Sequence, residues 1–439
     1  MNTFSSKIIN KIKNIWFNIW FQDKNTIPLE ITRMGIGFLL FFNYVMFTPS
    51  DIITLYGDSG LFNRAVVPEM NQFTSFSFFY YFDQDWQLLT FHYVFVILCF
   101  MMFVGWKTKW IKWLVIIGHL SYYNRNEFLF YGVDSVLIAL LIILCIAPIG
   151  SALSIDRIRQ VRKHKNEHVL DSRPALPTSQ RGFACQRLMQ LQMAVIYFSA
   201  GTEKLYGEMW WSGVAPWVAL NNNEVAFFPM GLFADQFWII NLMAFGTILI
   251  EISYAFLIWG YKTRPYLLSA ALFLHFSIAV MMGMYFFATV MIFGHLAFMR
   301  RHWYTNVGQW WRKKMGNMEM IYDGECGFCK RAMAYFLAYD GLNQISVRDY
   351  RTNPSPVVSS EKVDKALYLV TKDEKAIPGF DAYRYAVLRV PALWWQVPLF
   401  YIPVFSKLVG RPIYNWIAAN RGVISQCVVK PSKSVENKK

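Results

Sequence analysis

The sequence predicts an α-helical polytopic membrane protein with about eight transmembrane helices, followed by a C-terminal α/β domain. Three observations carry this. Of the 439 residues 55% are hydrophobic and 18% aromatic but only 16% charged, a balance that excludes disordered and coiled-coil classes. The apolar residues gather into stretches long enough, or nearly so, to cross a hydrocarbon core of ~30 Å. From about Met318 onward no apolar run free of charge or proline reaches helix length, and the ~120 residues that remain fit one soluble domain.

The stretches run from Arg33 to Phe47, Leu88 to Trp106, Trp110 to Tyr122, Val133 to Gly150, Leu188 to Leu205, Phe237 to Gly260, Tyr266 to Gly283 and Tyr285 to Met299. Lys and Arg are retained on the cytoplasmic side of a membrane, so correctly placed spans should leave loops that alternate in basic content. One set of connections holds 22 Lys and Arg: the N-terminal arm, Lys107 to Lys112, Arg157 to Arg187, Lys262 with Arg264, and Arg300 to Lys314. The other set holds only Arg64 and Arg125, among Asp51, Asp58, Glu69, Asp83, Asp85, Glu208, Glu224 and Asp235. The alternation predicts a multi-pass inner-membrane protein with both termini cytoplasmic. It also accounts for the net charge of +15 with membrane lipids as the partner and no nucleic acid.

Residues 1–27 read as an amphipathic interfacial helix rather than a cleavable signal, because Lys7, Lys11 and Lys13 alternate with Ile8, Ile12, Ile15, Trp16, Ile19 and Trp20 at helical spacing. The membrane domain is expected over 28–300, a basic linker over 301–317, the soluble domain over 318–425 and a tail over 426–439, disordered from Lys430 to Lys439.

Ionisable residues within membrane helices are costly and point to function. Glu203 and Lys204 fall at the outer end of the fifth span, His92 and His119 near the outer ends of the second and third, Glu251 and His275 inside the sixth and seventh, and His295 deeper in the eighth. Most lie in the outer half, which predicts a polar cavity opening away from the cytoplasm. Lys204 follows Ala200 and Gly201, small residues that let helices approach closely, so desolvation could make it a neutral base; the alternative is an ammonium snorkelling to the headgroups. His275 is read as catalytic or as a hydrogen-bonded packing residue. Glu251 needs a partner in either case.

In the soluble domain, MEMIYDGECGFCKR from Met318 to Arg331 reads as a β-rich run, a turn and a pair Cys326, Cys329 opening a helix through Leu337. Unpaired N–H groups at a helix start favour thiolate over neutral sulfur, which suits redox chemistry. A zinc knuckle would need four ligands, whereas the only further candidate after His302 is Cys427; an inert pair of core cysteines is the other alternative.

The strings YDGECGFC, GFDAYRYAVLRVP at Gly379 to Pro391 and YNWIAANRG at Tyr414 to Gly422 resemble the DCC family of thiol-disulfide oxidoreductase-like proteins. The resemblance implies a thioredoxin-like fold with Asp323, Cys326 and Cys329 as signature residues, Cys326 attacking and Cys329 resolving, and a redox partner for the pair. The stretch YFSAGTEKL, the later Glu251, Arg264 and His275, and RNEFLFYGVD at Arg125 to Asp134 are similar to the HTTM family, which includes vitamin K-dependent γ-glutamyl carboxylase. That resemblance implies catalytic Lys204, Glu251 and His275, with His92, His119, Arg125 and Asp134 holding a quinol or quinone cofactor and no metal. Lys204 would deprotonate the quinol, O2 addition would yield a strong base, and CO2 would add to a peptide or small lipid-soluble substrate. Three functions follow as expectations: carboxylase-like enzyme with a fused redox domain, quinone-linked thiol-disulfide oxidoreductase without carboxylation, or non-enzymatic maturation or immunity partner of a secreted peptide.

Overall fold

The computed structural model describes residues 2–60, 76–126, 129, 131–167, 175–222, 235–364 and 366–428. The chain divides into two compact units, residues 1–156 with 176–299 and residues 157–175 with 300–439. The polar tail expected to be disordered lies outside the described residues, as do parts of the two outer loops holding Glu69 and Glu224.

The first unit is built of helices α1 (Asn2–Trp20), α2 (Ile27–Val45), α3 (Pro49–Tyr56), α4 (Asp85–Val104), α5 (Thr108–Arg125) and α6 (Gly132–Ile146). After α7 (Ile155–Glu167), most of which belongs to the second unit, it resumes with α8 (Gln180–Tyr206), α9 (Phe237–Leu257), α10 (Arg264–Met282) and α11 (Tyr285–His295). Every predicted apolar stretch is a helix, but not every helix is a span. By length and composition α4, α9 and α10 can cross a membrane, and α2 with α3 would make a fourth, broken by a 91° bend. Among the described residues three or four helices therefore meet the length and composition of a span, fewer than the eight expected. At 1.5 Å per residue α6 and α11 reach only ~22 and ~17 Å, and α5 and α8 carry too many polar groups, among them Lys109, Lys112, Arg181, Arg187 and Lys204.

Local chemistry sets the breaks. Thr48 caps α3 by accepting the Asp51 N–H, Asp51 returns a bond to the Thr48 N–H at 2.8 Å, and Pro49 begins the helix without a donor to satisfy. Between α2 and α4 lies a fully buried ion pair, Arg33 Nε to Glu30 Oε2 at 3.0 Å. Arg33 also donates to the carbonyls of Met102, Phe103 and Leu153, while Glu30 accepts N–H groups of Gly150, Ser151 and Ala152. The pair thus satisfies the carbonyls left open at the end of α4 and the turn after α6.

In the second unit the residues expected to be a linker form α12 (Arg301–Met315). Its Trp311 indole N–H donates to the Arg389 carbonyl at 3.1 Å and packs on Trp394, ring centroids 5.6 Å apart, so 301–315 is an element of the second unit. Then follow β1 (Met318–Tyr322), α13 (Gly327–Tyr339), β2 (Ile345–Asp349), β3 (Tyr368–Thr371), β4 (Ala376–Pro378), α14 (Gly379–Arg389) and α15 (Arg411–Val428). The strands order β2-β1-β3-β4, with β1 parallel to β2 and antiparallel to β3, and β3 antiparallel to β4. Met320 pairs with Val347 on one side and Leu369 on the other. Met318, Met320, Met333, Phe336, Leu369 and Ala386 form the core between the sheet and α13 and α14.

Candidate functional site

The thiol pair sits where β1 hands over to α13. Cys326 is the N-cap of α13, and its Sγ accepts the Cys329 N–H at 3.3 Å, so negative charge forming on that sulfur meets a backbone donor. Neither cysteine is in a disulfide, and both are half-buried. The turn between strand and helix is held by two carboxylates. Asp323 accepts the Glu325 N–H at 3.0 Å, and its carbonyl accepts the Cys326 N–H at 3.2 Å. Asp349, at the end of β2, accepts the Gly324 N–H at 3.0 Å and the Arg351 N–H at 3.1 Å. A Cβ at Gly324 would lie 1.8 Å from Asp349 Oδ2, so only glycine fits beneath that carboxylate.

Arg351 clamps Asp323 through Nε at 2.8 Å and Nη2 at 3.3 Å. It also reaches Glu325 at 3.5 Å and Asp364 at 3.7 Å. The Asp323 hydrogen bond, then charge, holds the guanidinium ionised above its ordinary range. Sequence reading missed Arg351, which lies 28 residues from its carboxylate; only β1–β2 pairing, Tyr322 opposite Asp349, brings the two together. Beside Cys329 lies a cavity of about 180 Å³ with an almost wholly apolar wall, formed by residues including Phe328, Met333, Phe336, Tyr383, Tyr414 and Ile417. An engineered apolar protein cavity of about 150 Å³ takes up a benzene ring, so this one has room for an apolar side chain or a single ring.

In the helical unit, α8 packs on α9, and Gly201 permits it, since a Cβ there would lie 2.8 Å from Ile252 Cδ1 and 3.1 Å from Glu251 Cβ. Lys204 Nζ thereby meets Glu251 Oε2 at 2.8 Å and Oε1 at 3.1 Å, with the Trp210 ring centroid 5.1 Å away. The lysine side chain is 20% exposed and borders an open cleft of about 580 Å³ with Glu203, Glu208 and Trp210. Geometry thus gives Lys204 a carboxylate partner at 2.8 Å and an open cleft, where an enclosed pocket was expected.

His275 bonds to the Tyr197 hydroxyl at 2.7 Å and not to that pair; His295 bonds to the same hydroxyl at 3.0 Å. The Tyr197 ring stacks on Tyr254 at 4.0 Å. Among the described residues the buried His275 Nδ1 and the Tyr254 hydroxyl have no hydrogen-bond partner. Tyr197 lies seven residues before Lys204 on α8, and Tyr254 three after Glu251 on α9. Helical periodicity puts each on the face of its charged neighbour, a signal the sequence carried.

The proposed cofactor residues do not gather around Lys204. His92 Nδ1 meets the Tyr122 hydroxyl, and His119 Nδ1 the Tyr44 hydroxyl, each at 2.9 Å, within a cluster in which the Tyr44 and Tyr122 rings lie 4.6 Å apart. Arg125 donates to the Gly57 carbonyl just after α3, at 3.1 Å. Asp134 accepts the Tyr131 N–H at 2.9 Å and caps α6.

A helical membrane protein carrying a separate thiol-pair domain is the class that these features define. Residues 21–303 match the family model of the HTTM domain and residues 320–427 that of the DCC1-like thiol-disulfide oxidoreductase. The chain belongs to the HTTM family and carries a C-terminal DCC1-like domain. No curated protein and no solved structure matches it.

Proposed function

We propose that the protein is a membrane-bound thiol-disulfide oxidoreductase whose working centre is Cys326 with Cys329. The observation that carries this reading is the N-cap placement of Cys326 Sγ, with the Cys329 N–H bonded to it. A β-α-β unit followed by a β-hairpin and a helix, with the thiol pair at the first helix start, further supports a thioredoxin-like domain. The Cys326 thiolate attacks a substrate disulfide, releasing one substrate thiolate and forming a mixed disulfide. Cys329, once deprotonated, attacks Cys326 Sγ and frees the second substrate thiolate. Two electrons pass to the substrate, and the pair is left as a disulfide. The apolar cavity beside Cys329 would receive the side chain flanking the substrate cysteine.

The expected result is that Cys329→Ser, exposed to glutathione disulfide, accumulates a protein–glutathione mixed disulfide with release of one glutathione, mapped by mass spectrometry to Cys326, whereas Cys326→Ser yields none at position 329. Equal modification of the two single variants, or of neither, would refute the assignment.

A second reading is favoured by the unpartnered His275 Nδ1 and Tyr254 hydroxyl, each able to hydrogen-bond an oxygen of a quinol headgroup. Such a cofactor would supply a weakly acidic hydroxyl. Lys204 could take that proton once its own had passed to Glu251, and carboxylase-like use of O2 and CO2 would extend the same site. A short-chain quinone should then raise the thermal midpoint of the parent protein but not of His275→Leu. No shift in the parent would sink this reading. Transfer of heavy carbon from bicarbonate to a peptide would separate carboxylation from quinone-linked thiol chemistry.

A further inference from the structure

We propose that the segment between α14 and the middle of α15 docks the thiol domain onto an anionic lipid surface. From residue 382 to residue 435 the chain contains no Asp or Glu. Its basic residues include Arg384, Arg389, Lys407 and Arg411; Arg384 and Arg411 share the single carboxylate of Asp381, so the segment stays net positive.

Within it, Pro391–Gln396, Val397–Tyr401, Pro403–Phe405 and Ser406–Gly410 form a run of short helical turns. The inner side is fixed to the core of the domain. Leu393 and Gln396 are buried, Gln396 Nε2 donates to the Tyr335 hydroxyl at 2.8 Å and its Oε1 accepts from Tyr383, and Phe400 packs on Tyr383 with ring centroids 4.9 Å apart.

The outer side presents Trp395, Ile402, Val404, Leu408, Ile413 and Trp416, which are 47 to 72% exposed. Six large apolar side chains exposed within 22 consecutive residues mark an interaction site rather than ordinary solvent-facing structure. Two features select lipid as the occupant. Tryptophans mixed with Lys and Arg are the composition of the headgroup zone, and an acid-free basic platform complements anionic lipid but repels a second copy of itself. Pro398 and Pro403 interrupt the helical turns, so the segment is built to lie in an interface and not to cross it. The inference is independent of the redox reading, since it uses none of the thiol geometry.

The test uses the full chain in lipid nanodiscs, with Cys326, Cys329 and Cys427 replaced by serine and a fluorophore on Leu408→Cys, on Trp395→Cys as a second position, or on Asp373→Cys in the exposed turn before β4. Lipids carrying a nitroxide near the headgroup serve as quencher. At least twofold stronger quenching is expected at position 408 or 395 than at 373, and stronger in phosphatidylglycerol discs than in phosphatidylcholine discs. Equal quenching at all three positions, or unquenched 408 and 395 labels that crosslink to a second copy, would overturn the proposal.

Discussion

Glu30→Leu is expected to destabilise the helical unit by about 3–5 kcal/mol, the usual cost of removing one partner from a buried ion pair. The loss exceeds that of the pair itself. Arg33 would remain fully buried with its charge uncompensated, and the Gly150, Ser151 and Ala152 amides would lose their shared acceptor Oε1. Arg33→Leu should cost a similar amount, since Glu30 would stay buried without its cation and the Met102, Phe103 and Leu153 carbonyls would lose their donor. Replacing both by leucine should cost less than the sum of the singles, because neither charge is then stranded. Denaturant midpoints of the purified protein in detergent measure all three variants. A single-variant loss under 1 kcal/mol would show that the network is not the clamp between α2, α4 and the turn after α6.

Lys204→Met is expected to destabilise the α8–α9 contact by about 1–3 kcal/mol, less than at Glu30 because both side chains keep some exposure. The more telling member of the series is the double variant Lys204→Met with Glu251→Leu, which should lie closer to the parent than Lys204→Met alone. Glu251 sits against the Gly201 backbone, where a lone carboxylate has poor access to water. If the double variant is the least stable of the three, the two residues act separately and the paired geometry has no energetic meaning. The same series tests the lysine's chemistry: a lysine that serves only to neutralise Glu251 is dispensable in the double variant, whereas a proton-transferring lysine is not.

Much of this was legible in advance. Lys204 and Glu251 were singled out because each is a charge in an apolar helix, and burial without compensation is costly enough that such residues stand out. The structure adds that they compensate each other. Cys326 and Cys329 were placed at a helix start from the turn before them, and the N-cap bond is that placement realised. The partners invisible beforehand were Arg351 for Asp323, Tyr197 for His275, and Gly150 to Ala152 for Glu30. Glu30 and Arg33 carry no such signal, since at the start of an apolar stretch a charged pair looks like an ordinary headgroup-facing flank.

The amino-acid sequence by itself determined the helical character of the membrane unit, the presence of a C-terminal thiol-bearing unit and the local setting of the thiol pair, because hydrophobic periodicity, glycine turns and helix starts are properties of neighbouring residues. Tertiary structure alone decided that 301–315 is an element of the thiol unit and which carboxylate meets which cation. Those outcomes depend on where chains break and bend and on contacts between residues tens to more than a hundred positions apart, and no local pattern encodes the close approach that makes such contacts favourable.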